Sequence, residues 1–130
     1  LMPTAKVYGL RSQVKPIQKA LSEAIEDCVV EGLGFPPGRR LQRFILMDEG
    51  DFYFGTGRSK RYLVIEIDFF VGRSVSTIKK LINLLYERIP PATGILRGDI
   101  DIIVKEVPQH CWGLKGKLGD EQDLDYNVAV

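Results

Sequence analysis

Few residues of this chain are equipped for chemistry, and their positions narrow what it is. Pro3 directly follows a methionine. Methionine is trimmed when the next residue is small. The natural chain is therefore expected to start at Met2 and mature to Pro3, with Leu1 a cloning remnant. A free proline amine is a base; an α-amine titrates near ~7.7–8.0 in water. The simpler reading is a proline at a frayed terminus. Arg11 and Arg73 each follow a predicted strand and precede a predicted helix, at matching points of two repeats. A guanidinium placed there can grip a carboxylate with two parallel hydrogen bonds. The alternative for either is a solvated loop arginine. Glu106 continues the inward side of Ile100, Ile102 and Val104, so it is either at the wet end of its strand or a buried, perturbed acid. Trp112 either walls a pocket or packs at a subunit contact.

Other groups point elsewhere. Arg39, Arg40 and Arg43 form a local basic cluster, read as a solvated turn whose charges contribute little. His110 and Cys111 suggest a thiol-imidazole dyad, but neighbouring side chains on an extended chain point apart. "GTGRS" is too short for a phosphate-binding glycine fingerprint, and a strand follows it, not a helix. Two cysteines and one histidine supply neither a zinc framework nor a disulfide scaffold. No metal and no cofactor is expected. A net charge of +1 gives no global field toward nucleic acid or acidic partners. No apolar run approaches the ~20 residues of a membrane span, and no signal peptide is visible. The default compartment is the cytoplasm.

The elements that must position these residues repeat. One domain is expected over 1–130, with repeat one at about 3–50, repeat two at about 61–108 and a tail at 109–130. Thr4 to Tyr8 reads as a strand closed by Gly9. Ile17, Ala20, Leu21, Ala24, Ile25, Cys28 and Val29 recur at helical spacing. Ser12 is the expected N-cap, and Pro16 fits the first turn. "GLGFPPG" stops the helix, and Leu41 to Met47 is a second strand. In repeat two, "YLVIEIDFFV" alternates cleanly: Leu63, Ile65, Ile67 and Phe69 face one way, Tyr62, Glu66 and Asp68 the other. A helix carries Ile78, Leu81, Ile82, Leu85 and Ile89 on one face, ended by Pro90 and Pro91. Ile100 to Val107 is the fourth strand. The fold class is α+β: a β-α-β-β-α-β order with a four-stranded mixed sheet and both helices on one face. Right-handed crossovers make the strands of each repeat parallel. The other sheet face, with Tyr62, Val64 and Phe70, then needs a cover, so self-association is expected. "LDYNVAV" is β-prone and could pair with the sheet edge of a neighbouring subunit.

Pro3 after Met2, the two repeats, Arg11 after the first strand, "GRS" at Arg73 and "KEVPQHCWGLKG" after the fourth strand together resemble the tautomerase superfamily. This is the family of 4-oxalocrotonate tautomerase and macrophage migration inhibitory factor. The "DFYF" segment, "IEI" centre and "CWG" tail are similar to its bacterial tautomerase-like branch. The resemblance implies a homotrimer with sites at subunit boundaries and a free N-terminal proline as the catalytic group. It implies Pro3 as base, Arg73 and Arg11 as carboxylate clamps, and Glu106 and Trp112 lining the site for a small carboxylate-bearing substrate.

Departures from relatives narrow the reaction. The superfamily's malonate semialdehyde decarboxylase has an acid where Arg39 aligns, and a pair of arginines where this chain has only Arg73. Its cis-3-chloroacrylic acid dehalogenase has a histidine in the first helix, absent from "EAIEDCVVEG", and an added arginine where Phe70 stands. Keto-enol proton transfer needs only the base and the clamps. Two other classes stay open. RNA-binding sheets share the element order and stack bases on exposed aromatics, and "DFYFGTGRSKRY" offers aromatics beside basic residues. A non-catalytic trimeric scaffold or sensor is the other, since fold does not fix function.

Overall fold

The computed structural model describes residues 3–122, 124 and 126–130. Leu1 and Met2, on which the expected start of the chain turns, lie outside the described residues. β1 (Thr4–Leu10) and β3 (Leu63–Phe70) pair antiparallel at the centre of a four-stranded sheet. β2 (Gln42–Met47) lies parallel beside β1, and β4 (Ile100–Val107) parallel beside β3. The order β2-β1-β3-β4 is two β-α-β crossovers joined back to back, the α+β mixed sheet that the sequence pattern calls for.

Alternation sets the two faces. Ala5, Val7, Leu63, Ile65, Ile67 and Phe69 are buried beneath α2 (Gln18–Leu33) and α3 (Val75–Thr93). Leu21, Ile25 and Cys28 come down from α2, and Leu81, Leu85 and Ile89 from α3. Removing such side chains from water contributes ~1.5–3 kcal/mol each. Burial also pushes the Cys28 thiol up to about 11, so it stays a neutral core side chain.

The helix ends differ from the expected ones. α1 (Arg11–Val14) begins directly after β1, with Leu10 at the N-cap and no side-chain cap; Ser12 lies inside it. A 3-10 turn at Lys15–Ile17 then separates α1 from α2. Pro16 causes the break, because it has no N–H to continue an α-helical ladder. At the other end of the fold, Pro90 and Pro91 do not end α3 but lie within its last turns. The stop is Gly94, at φ 79, whose N–H closes the turn on Pro90 O at 2.8 Å. Glycine adopts this left-handed cap without a steric penalty.

The face opposite the helices is partly covered by the chain itself. Phe52 stacks on Tyr62 at 5.4 Å, and Trp112 meets Phe70 edge-on at 5.2 Å. Tyr8, Ile45, Val64 and Ile103 remain around a charge network, in which Lys6 reaches Asp68 at 3.4 Å and Lys105 reaches Glu66 at 3.0 Å. After β4 a hairpin forms from β5 (Gly113–Leu114) and β6 (Lys117–Leu118). The described tail residues then depart from the expected terminal strand: none of 126–130 is in a strand. They fold back on their own chain instead. Val130 O accepts hydrogen bonds from Ser74 N at 3.2 Å and Thr77 Oγ1 at 2.7 Å, satisfying groups at the start of α3.

Candidate active site

The strand pairing decides which candidates meet. Thr4 pairs with Asp68. One step further along the same antiparallel register, Pro3 lies across from Phe69. Arg73 follows β3 and returns over this point, with its guanidinium carbon 4.7 Å from the Phe69 ring centre. Pro3 and Arg73 therefore share one end of the sheet. Arg11 sits at the opposite end of β1, ~26 Å away at ~3.3 Å per residue. The two arginines match in sequence position but are not brought together within one chain.

Arg73 is 6% exposed. Its Nη1 donates to Phe70 O at 3.2 Å, while Nε and Nη2 are buried without a hydrogen-bond partner. Burial pulls its pKa down, opposed by Tyr126 and Glu106. An arginine remains charged at neutral pH regardless. A buried cation with two unpartnered nitrogens, Nε and Nη2, is a site prepared for a planar anion. Glu106 is exposed, which settles its two readings in favour of the strand's wet end. It is opposite Phe69 in the β3–β4 register, close enough to act on Arg73. Trp112 is half-buried against Phe70, and its Nε1 has no partner.

Pro3 is buried and lines a cavity of about 10 Å³ with Glu26, Val29, Phe35, Arg39 and Gln42. Arg39 is thus separate from the solvated turn expected for its cluster: it is half-buried in the wall beside Pro3, while Arg40 and Arg43 are exposed. Tyr126 closes the space between the two halves of the site. Its ring meets Phe35 edge-on at 4.7 Å and lies 5.9 Å from the Arg73 guanidinium carbon. Two residues here escaped the sequence reading, Glu26 and Tyr126, and Arg39 was read only as part of a solvated turn. Glu26 flanks the apolar stripe of its helix, a position that offers a weak signal. Nothing in the spacing of "LDYNVAV" marks Tyr126.

The remaining candidates gather no chemistry. Arg11 is exposed, donates to Leu46 O at 3.2 Å and lies 3.9 Å from Asp48. His110 and Cys111 are both exposed in a 3-10 turn. No cluster of metal-ligating side chains occurs among the described residues.

A family profile described as "Tautomerase enzyme" matches residues 39–115, more than half of the chain. The chain belongs to this family. The matched span contains Arg39, Arg73, Glu106 and Trp112; Pro3 and Arg11 precede it. Among solved structures, the chain is similar to a malonate semialdehyde decarboxylase inhibited by 3-bromopropiolate, at 23% identity and a TM-score of 0.75, over 85% of this chain and 87% of that one. It is similar to a fused 4-OT asymmetric trimer at 19% identity and a TM-score of 0.79, over 90% and 96%. A member of the cis-3-chloroacrylic acid dehalogenase family matches at 16% identity and a TM-score of 0.77, over 88% and 82%. At these identities what is shared is the fold. No helix among the described residues is long and apolar enough to cross a membrane.

Proposed function

We propose that this chain is a cofactor-independent tautomerase, moving a proton between the keto and enol forms of a small 2-oxo or 2-hydroxy-dienoic acid. The observation that carries the reading is the buried Arg73 guanidinium, with Nε and Nη2 unpartnered, at the same sheet end as Pro3. With the residues before it removed, Pro3 has a secondary amine. Burial beside Arg39 and Arg73 disfavours its charged form and lowers its pKa from the solution value. A base poised near neutral pH suits proton transfer. Pro3 N takes a proton from the carbon beside the carbonyl; the C–H bond breaks, an N–H bond forms, and the electron pair stays on the enolate. Arg73 holds the carboxylate and stabilises the developing charge. The proton then returns to a different atom. A cavity of about 10 Å³ holds little more than a water molecule, so substrate entry displaces Tyr126 from Phe35. Glu106 and Trp112 border this entrance.

The assembly we infer is a homotrimer acting in the cytoplasm. Ile45 and Ile103 are 37% and 44% exposed on the open sheet face, and the 4-OT neighbour is described as a trimer. Arg11 could then reach Pro3 only from another subunit. Sedimentation at micromolar concentration is expected to give a trimer; a stable monomer would refute this assembly.

The test of the activity compares two forms of the chain. With Leu1 and Met2 attached, Pro3 N is a tertiary amide whose lone pair is delocalised into the carbonyl. This form is expected to be nearly inactive in ketonisation of 2-hydroxymuconate or phenylenolpyruvate. A form beginning at Pro3 should be active, with a pH-rate limb at or below ~7.7–8.0. Equal activity of both forms would place the base elsewhere. Failure of both across a panel of enol and 2-oxo acids would favour a scaffold or sensor.

A further inference from the structure

The cavity beside Pro3 contains an acid whose chemistry is unfinished. Glu26 projects into it from α2, one turn beyond Ser22. Its side chain is 12% exposed, and its Oε2 lies 3.7 Å from Arg40 Nε. Arg40 is itself held by Ser22, to which its Nη1 donates at 3.1 Å. Ser22 Oγ in turn donates to Gln42 Oε1, and Gln42 Nε2 donates to Ser22 O at 3.0 Å. These bonds hold Arg40 and Gln42 beside Glu26. Glu26 Oε1 is left buried with no partner. A buried acceptor without a donor costs ~1–3 kcal/mol, more when charged. Such an exception calls for a donor that arrives from elsewhere.

We propose that Glu26 is a positioning residue for the Pro3 amine: its Oε1 accepts an N–H from the freed proline nitrogen across the cavity that both line. This deepens the tautomerase reading and rests on it. A proline in peptide linkage has no N–H to give; a terminal one has a single N–H as the amine and two as the ammonium. The neutral amine would donate its one N–H to Glu26, turning its lone pair toward the Arg73 side, where the substrate carboxylate is held. After proton abstraction, one N–H of the ammonium stays on Glu26 and the other faces the enolate, so the proton that returns comes from a fixed direction.

The carboxylate also stabilises the ammonium and raises the amine's pKa. Other charged and titratable groups lie around the same end of the sheet. Arg39 and Arg40 approach from the segment before β2, Arg73 and Tyr126 from the far wall, and Lys6 and Asp68 from the other face of the sheet. The arginines oppose Glu26, and all these groups stay constant when only Glu26 is changed.

The test uses the full chain beginning at Pro3, labelled with ¹⁵N at proline, and follows the Pro3 nitrogen resonance against pH. Glu26→Gln should lower the Pro3 pKa by about one pH unit or more, the low end of what a close opposite charge does. Glu26→Asp keeps the charge but sets it back by one methylene, so its pKa should lie between the two. If Glu26→Gln fails to fold, Glu26→Asp carries the test with a smaller fall. A Pro3 titration that does not change with the residue at 26 overturns the proposal. The measurement needs no turnover, so its failure is distinct from failure of the activity comparison between the extended and trimmed forms.

Discussion

The two ends of the sheet are built from matching parts of the two repeats, yet they treat polar groups in opposite ways. At the end where β1 stops and β3 begins, polar groups have partners. Tyr62 Oη donates to Asp101 Oδ2 at 2.6 Å, and Arg58 Nη2 reaches the same oxygen at 3.0 Å. Asp99 accepts from Ser59 N at 2.8 Å and Ser59 Oγ at 2.6 Å. Arg61 donates to the carbonyls of Gly94 and Thr93, at 2.9 and 3.1 Å, and Arg11 to that of Leu46. At the Pro3 end, Arg73 Nε and Nη2, Glu26 Oε1, Asp68 Oδ1 and Trp112 Nε1 are buried and unpaired. Gln18 Oε1, at the start of α2, is the one such atom among the described residues away from that end. Unsatisfied polar atoms cost stability, and a fold that gathers them at one place holds that place ready for a ligand. Equivalence in the repeat thus says where an arginine sits along the chain. Its surroundings decide whether it is a brace or a clamp.

The largest effect should come from exchanging the two arginines' fates. Arg73→Ala is expected to lower kcat/KM for a 2-oxo acid tautomer by ~10- to 100-fold. A charge-assisted hydrogen bond contributes ~1.5–3 kcal/mol, and ~1.4 kcal/mol is one decade. Arg73→Lys should fall between, since it keeps the charge and loses the fork. Arg11→Ala should cost no more than ~3-fold, because its guanidinium is solvated and spends itself on Leu46 O and Asp48. Steady-state kinetics on the trimmed chain decide it. Equal losses at both positions would mean that a neighbouring subunit carries Arg11 to Pro3.

A second measurement sharpens the contrast from the paired end. Burial first, and then the hydrogen bond to Asp101, push the Tyr62 hydroxyl up to about 12. The fold thus favours the neutral phenol, and this contribution is complete below ~10, the unfolded value. It is lost as pH rises from ~10 to about 12, a window worth roughly 2–3 kcal/mol at 1.36 kcal/mol per unit. Denaturation midpoints should fall across that window in the natural chain and flatten in Tyr62→Phe. An identical slope in both would show that Tyr62 is not the group responsible.

The smallest expected difference concerns the two serines beside the arginines. Ser74 caps α3, with its Oγ accepting from Thr77 N at 3.2 Å. Ser12 is exposed inside α1 and caps nothing. Ser74→Ala should destabilise by ~1 kcal/mol, and Ser12→Ala should stay within ~0.5 kcal/mol. Chemical denaturation of both variants checks this; equal effects would show that the cap at Arg73's end contributes nothing particular.

Much of this fold was legible from spacing, for a physical reason. A strand buried on one face must alternate, so "YLVIEIDFFV" set β3 and its inward residues, and Ile100 to Val107 matched β4 end to end. Proline positions misled at both helices. At Pro16 the missing N–H breaks the helix, while at Pro90 and Pro91 α3 runs on to its glycine cap. Arg73 was legible because it repeats Arg11's place. Glu26 and Tyr126 were not, because what makes them notable is created by packing across distant segments. Glu26 stands out only once the cavity wall is assembled, and Tyr126 only once the tail crosses Phe35. The tail's β-prone composition suggested a strand on a neighbour; within this chain residues 126–130 form no strand and Val130 O bonds Ser74 and Thr77.

The distribution of the site along the chain bears on when the protein becomes reactive. Pro3 leaves the ribosome early, Glu26 and Arg73 follow far apart, and Tyr126 comes near the finish. Contacts between distant segments form late, because their loops must close before any gain is realised. The β1–β3 pairing that brings Pro3 opposite Phe69 joins residues such as Thr4 and Asp68, and cannot form until the second repeat exists. A half-made chain therefore holds Pro3 without Phe69 and Arg73, which complete that end of the sheet. If Pro3 is the free base proposed above, its amine on such an intermediate keeps the ordinary solution pKa and is mostly protonated. On that proposal, reactivity arrives only when the fold is complete and Arg73 stands at the same sheet end as Pro3.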